Sequence, residues 1–125
     1  MASDILVRSL GSTEGKSVLD VGGEFAGIVD GNYLAVVNDA VAWREQNPHL
    51  HAVNDILPAD VVIGVTNRIT EVQAMYAAAG ELLVFETDAK GPNIKLIREW
   101  AAEHNPVVCA TPEEGRDTFI VKVAK

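Results

Sequence analysis

The sequence predicts an α+β fold: a small antiparallel β-sheet or partly open barrel with two helices, followed by a C-terminal helix and strand. Three observations carry this. Short strand-like runs outnumber helical ones. Asp30-Gly31-Asn32 lies between two apolar runs, and such residues accept the positive φ of a tight hairpin turn. The helical segments do not alternate with strands, as a parallel α/β chain requires.

Each element follows from its residues. Ile5 to Leu10 reads as a strand with a polar break at Arg8, and the loop GSTEGK follows. Ser17 to Val21 alternates apolar and polar until Gly22-Gly23 breaks it. FAGIVD and GNYLAVV read as two short strands joined at Asp30-Gly31-Asn32. Asn38 or Asp39 caps a helix, DAVAWREQ, whose inner face is Ala40, Val41 and Trp43. Asn47 precedes Pro48 and is driven out of the α region, so this helix ends near Gln46. HLHAVNDILPA has no period and reads as irregular.

DVVIGV is a continuous apolar run, as in a buried strand. Thr70 caps the next helix, which sets Val72, Met75, Tyr76 and Ala79 on one side and is stopped by Gly80. ELLVFET is a strand. Gly91-Pro92-Asn93 launches a helix with Ile94, Ile97 and Ala101 in one stripe, widened by Leu96 and Trp100 and ended by Asn105-Pro106. VVCA and TFIVKV are strands around the polar loop TPEEGRD.

At 125 residues the chain has the length of one ordinary domain. Its 48% hydrophobic and 22% charged residues are a globular balance. A net charge of -8 opposes binding to nucleic acid and to anionic membranes, which both require a positive field. Cys109 is the single cysteine, so no internal disulfide forms. No apolar run approaches the roughly 20 residues of a membrane span. The first residues lack the basic, apolar and small-residue order of a signal peptide. A soluble chain is expected.

Candidate chemistry is sparse. His49 and His51 point the same way in an extended segment, but a zinc site needs three or four ligands; Asp55, His104 and Cys109 are the further donors. Cys109 lies in an apolar run, which raises a thiol's pKa and makes it inert. GGEFAG does not match G-x-G-x-x-G and no strong helix follows, so its glycines are read as turn residues. Glu113-Glu114 and the scattered Asp20, Asp30 and Asp39 show no pairing that separates a general acid from a general base.

The order DGNYLAVV, DAVAWREQNPHLHAV and ILPADVVIGVTNRITEVQAMYAAAGELLVFET resembles a PDZ-like domain, with Ala59-Asp60 and Thr66-Asn67-Arg68 at the positions of its Gly-Asp pair and Val-Asn-Gly turn. The helix ending in Asn47-Pro48 is similar to that of the PDZ-like domains of dinoflagellate and related algal proteins. The resemblance implies a domain at 1–90 and an extension at 91–125 that packs on it or docks to a partner. It implies a groove between the strand Ser17, Val18, Leu19, Asp20, Val21 and the helix bearing Glu71 and Met75, with Trp100 as a docking residue of the extension. The Gly-rich carboxylate loop of such domains is not recognisable near Gly15 to Val21.

The resulting expectation is a non-catalytic accessory subunit of a larger protein complex, with no cofactor and no metal. The algal likeness implies an organellar, photosynthetic setting, in the plastid if a targeting segment has been removed and otherwise in the cytoplasm. The alternatives are a peptide-binding domain using strand addition, and a small metal protein or enzyme using His49, His51 or Cys109.

Overall fold

Six strands of the sheet run in one direction, and only one opposes them. The protein is described here by a computed structural model covering residues 6, 8, 10–88, 93–104, 108–110 and 118–125, with 108–110, 118 and 119 as backbone alone. The strands are β1 (Ser17–Val21), β2 (Asn32–Val36), β3 (His51–Val53), β4 (Ala59–Val65), β5 (Ala79–Asp88), β6 (Val108–Ala110) and β7 (Thr118–Ala124). The helices are α1 (Ala40–Gln46), α2 (Ile69–Ala78) and α3 (Ile94–Glu103). The sheet order is β3-β2-β1-β4-β5-β7-β6. Pairings from β3 across to β5 are parallel, and β7 runs antiparallel between β5 and β6.

This is a doubly wound α/β sheet, which corrects the antiparallel α+β expectation. The error begins at Asp30-Gly31-Asn32. These residues do not join a hairpin, because β2 pairs with β1 in parallel, Ser17 opposite Asn32 and Val21 opposite Val36. A parallel return usually needs a helix. Here Gly22 to Gly31 makes the return in turns alone, with positive φ at Gly22, Gly23, Gly27 and Gly31. A Cβ on Gly31 would lie 2.5 Å from the Thr13 carbonyl oxygen and 2.6 Å from that of Lys16.

The two faces of the sheet follow from strand alternation. Leu19, Val62, Leu83 and Phe85 point to one face and pack with Val72 and Met75 of α2 and with Ile97 and Trp100 of α3. Val18, Val61, Ile63 and Val84 point to the other, under Leu6, Leu10 and Phe25. Further along that second face, Ala35 and Ala52 meet Ala40 and Trp43. Residues 6, 8 and 10 are helical, not a strand, so Leu6 and Leu10 lie one turn apart and bury together.

Of the two caps expected for α1, Asp39 is the one used: its carboxylate accepts from the Ala42 N–H at 3.0 Å. The ends of α2 do change. α2 begins after Arg68 with no side-chain cap, and it stops at Ala79, before Gly80, because Ala79 already pairs with Ala59 in the sheet. Asn105, Pro106 and the Gly91-Pro92 step lie outside the described residues. The segment expected to be an extension beyond residue 90 is built into the sheet: β7 pairs with β5 from Asp88–Thr118 to Leu82–Ala124.

The link between β3 and β4 sets the shape of the site. It must cross from one sheet edge over β2 and β1, three strand spacings or roughly 14 Å sideways. Residues 54–58 do this without a helix, and Ile56 packs into the core on the α2 face as they pass. Because β4 runs parallel to β3, the link must also return from the level of Gly64, which Val53 shares, to Ala59, and at about 3.5 Å per extended residue this leaves little slack. The carboxyl ends of β1, β2 and β3 are therefore left open above this strap.

Candidate functional site

In open α/β sheets, ligands bind outside the carboxyl ends of the strands where the winding reverses. Here that point lies between β1 and β4: the chain winds outward from β1 through β2 to β3, then returns to β4 and winds the other way. A cleft of about 650 Å³ lies there. Its walls come from the residues that end four strands: Val21-Gly22, Val36-Val37-Asn38, Asn54-Asp55-Ile56, and Val65 with Arg68 and Glu71. The volume is in the usual range for small-molecule sites.

The glycine turn forms the floor. Gly22 has φ 104, and a Cβ there would meet nothing closer than Glu24 Cγ at 3.8 Å, so bare backbone faces the cleft. Its own N–H donates to the Val36 carbonyl at 2.8 Å, which ties the turn to the end of β2. Gly23 has φ 71 and lies under the Trp43 indole; a Cβ would come within 2.8 Å of Trp43 Nε1.

Below the turn, Asp20 is fully buried on the opposite face of β1. One carboxylate oxygen accepts from the Phe25 N–H at 2.8 Å and from the Tyr33 hydroxyl. The other, Oδ1, has no partner among the described residues. Burial pushes the Asp20 carboxyl up to about 6, against the two hydrogen bonds that favour its charged form, while Glu24 adds a smaller upward push. Burial, and then the bond to Asp20, raise the Tyr33 phenol above its ordinary range.

The two side walls are braced separately. On the β3 side, Asn54 Oδ1 accepts from the Ala40 N–H at 3.1 Å and joins the end of β3 to α1. On the β4 side, Asn67 Oδ1 accepts from the Asp88 N–H at 2.8 Å and from the Thr87 hydroxyl at 3.3 Å. The Asn67 carbonyl accepts from Asn93 Nδ2 at 3.3 Å. The side chain of Asn67 is thereby engaged, whereas those of Arg68 and Glu71 line the cleft. Glu71 sits in the first turn of α2, where the helix dipole favours a carboxylate.

The residues expected to form a peptide groove do not form one. Ser17, Val18, Leu19, Asp20 and Val21 are the central strand, hydrogen-bonded to β2 on one side and β4 on the other, so no free edge accepts a peptide. Met75 is 0% exposed and Trp100 8%, both packed in the core. Trp100 stacks on His104, ring centroids 4.3 Å apart, and meets Tyr76 edge-on at 5.3 Å. Of the eight, Val21 and Glu71 line the cleft.

His49 and His51 lie at the opposite end of the sheet, in a second cavity of about 470 Å³ with Ser17, Asn32 and Leu34. No group of three potential metal ligands occurs among the described residues. β3, which carries His51, and β6, which carries Cys109, are opposite sheet edges, so these two cannot share one site. Glu113 and Glu114 lie outside the described residues. No helix among the described residues is long and apolar enough to cross a membrane.

No protein-family model matches the sequence, and no curated protein is similar to it. Solved structures are similar in fold. One is ribosomal protein L11 methylase from Lactobacillus delbrueckii subsp. bulgaricus, with TM-score 0.70 and 11% identity over 97% of this chain and 75% of that one. Another is magnesium protoporphyrin IX methyltransferase from Synechocystis PCC 6803 with bound SAM, with TM-score 0.61 and 13% identity over 97% and 74%. A third is M. capricolum TrmK with S-adenosyl-homocysteine, with TM-score 0.64 and 13% identity over 100% and 69%.

The chain therefore has the Rossmann-like fold seen in these methyltransferases. This replaces the PDZ-like resemblance, which rested on the order of strands and helices and not on strand direction. The non-catalytic accessory role and the photosynthetic setting drew on that resemblance alone and fall with it.

Proposed function

We propose that this chain is a methyltransferase that takes S-adenosylmethionine as its cofactor, in the cleft at the carboxyl ends of β1 to β4. The observation that carries this reading is the pairing of topology with site. The sheet has the order β3-β2-β1-β4-β5-β7-β6 with β7 reversed, and the cleft opens at its switch point, directly over Gly22. The Synechocystis neighbour was solved with SAM and the TrmK neighbour with S-adenosyl-homocysteine.

The residues present fit such a group. Gly22 presents backbone without a side chain at the cleft, where a β-carbon would touch only Glu24 Cγ at 3.8 Å. Asn38, at the end of β2, offers both a donor and an acceptor to the hydroxyls of a ribose. A carboxylate would fill the equivalent place in dinucleotide sites; here Asp39 is engaged as the cap of α1. Asp55 can accept from an exocyclic amine, and Val37 and Ile56 supply apolar contact for a base.

When bound, the cofactor supplies an electrophilic methyl group on a sulfonium sulfur. The chain's part is to hold it, orient an acceptor and take up a proton. Glu71 is the carboxylate on the α2 side of the cleft, and we assign it to receive the proton that an acceptor O–H or N–H loses. The test is isothermal titration of the purified chain with S-adenosylmethionine, with Gly22→Ala as the control once its circular dichroism and unfolding curve show the fold retained. Saturable one-to-one binding, abolished by the added side chain, supports the reading. No heat and no thermal stabilisation at millimolar cofactor would overturn it.

A further inference from the structure

Resting on that reading, we propose that Arg68 is the recognition residue for the acceptor, and that the acceptor is a small molecule bearing an oxyanion, a carboxylate or a phosphate. Among the described residues the other cations are mostly engaged. Lys16 pairs with Glu81 at 2.8 Å. Arg44 Nε donates to the Ala40 carbonyl at 3.3 Å. Lys125 lies over the Tyr76 ring and donates to the Tyr76 carbonyl at 2.9 Å. Arg8, Arg98 and Lys122 also have partners. Among the described residues Arg68 and Lys95 have no side-chain partner, and of the two it is Arg68 that lines the carboxyl-end cleft.

The missing partner is informative because one stands close by in sequence. Glu71 lines the same cleft three residues on, yet the two form no ion pair. The two side chains leave different backbone conformations. Arg68 is extended, with φ -114 and ψ 120, and its N–H is held by Thr66 Oγ1 at 3.2 Å, whereas Glu71 is already helical. Both charges therefore stay available to a ligand. The guanidinium presents a planar fork that matches carboxylate or phosphate in two-point contact.

Charge limits the size of the anion. The chain carries -8, and Asp55 and Glu71 share the cleft with Arg68. A polyanion such as RNA would meet net repulsion with one cation to offset it. A small acceptor presents its anionic group to Arg68 and its nucleophile to the space between Arg68 and Glu71.

The experiment has two arms, each run on wild type, Arg68→Ala and Arg68→Lys. The first titrates S-adenosyl-homocysteine by calorimetry. The second titrates succinate and, separately, inorganic phosphate into free protein and into protein saturated with S-adenosyl-homocysteine, read by amide chemical shifts. The proposal expects anion-dependent shifts around Arg68 and Glu71, weakened about tenfold or more in Arg68→Ala and partly kept in Arg68→Lys. S-Adenosyl-homocysteine affinity stays within about twofold of wild type. Equal anion binding in wild type and Arg68→Ala overturns it. So does a loss of S-adenosyl-homocysteine affinity in Arg68→Ala, which would assign the guanidinium to the cofactor's own carboxylate. Single-stranded RNA binding that exceeds succinate binding and depends on Arg68 overturns the small-acceptor class. If wild type binds no S-adenosyl-homocysteine, the proposed function fails, and the free-protein arm still decides the anion site.

Discussion

The Tyr33 hydroxyl, at the start of β2, donates to the buried carboxylate of Asp20 in β1. The same carboxylate oxygen receives the Phe25 N–H from the turn segment that replaces the first crossover helix. One buried acid thus joins two strands and the turn that forms the floor of the cleft. This makes the stability of the glycine turn dependent on the charge of Asp20.

The pH dependence follows from the raised pKa. The folded chain keeps the Asp20 proton up to about 6, whereas the unfolded chain releases it near the ordinary aspartate value of 3.8. The folded state therefore binds more protons in this window, and the contribution of this group to stability falls as pH rises through it. The loss is on the order of 3 kcal/mol by pH 7. Asp20→Asn removes the titration and keeps an acceptor for Phe25 and Tyr33. Urea unfolding from pH 4 to 7.5 should show wild type losing stability relative to Asp20→Asn. Parallel curves would contradict the assignment.

Tyr33→Phe removes a donor to the charged form of Asp20. It should cost about 1–3 kcal/mol at pH 7.5, where the buried charge loses a partner, and less at pH 4.5. Chemical denaturation at the two pH values measures this. An equal cost at both would mean that the hydroxyl matters only for packing.

Gly23→Ala places a methyl group 2.8 Å from Trp43 Nε1 at a φ of 71. Strain and clash together should destabilise the chain by about 1–3 kcal/mol. They should also alter the fluorescence of Trp43. The shift should persist in a Trp100→Phe background, which removes the other tryptophan. An unchanged spectrum would place Trp43 away from the turn.

Gly64→Ala tests the packing under the site. Its Cβ would lie 2.9 Å from Met75 Cε and 3.0 Å from the Val21 carbonyl oxygen. The methionine end can swing away, but the β1 backbone cannot. The expected cost is about 1–3 kcal/mol in thermal or urea unfolding. A second substitution, Met75→Leu, should recover little of it.

Glu71→Gln should leave S-adenosyl-homocysteine affinity near wild type and slow methyl transfer about 10²–10⁴-fold once an acceptor is in hand. A matched loss of cofactor affinity would instead make Glu71 a binding group.

Much of the secondary structure was legible, and the pairing was not. The capped α1, the apolar stripes of α2 and α3 and the alternation of β1 and β7 announce themselves by period, and β4 and β5 by their apolar runs. Period marks a strand but not the direction of its partner. Between β1 and β2, where a helix ordinarily betrays a parallel return, the chain has only Gly22 to Gly31, and Asp30-Gly31-Asn32 imitates a hairpin. β3 is only His51–Val53, too short for a pattern. The site was hidden for the same reason. Gly22 was visible as a turn, but Asn38, Asp55 and Arg68 meet it only once the four strands lie side by side and parallel. The available signal was a glycine pair directly after a strand, with the polar pair Asn38-Asp39 at the end of the next one.

On the proposed function an adenosyl cofactor occupies the carboxyl-end cleft. The most direct test is the amide spectrum of the isotopically labelled chain titrated with S-adenosyl-homocysteine. Saturable shifts should cluster at Gly22, Asn38, Asp55 and Glu71, with His49 and His51 at the far end of the sheet unmoved. A spectrum that stays unchanged at saturating ligand, or that moves only around His49 and His51, would contradict it.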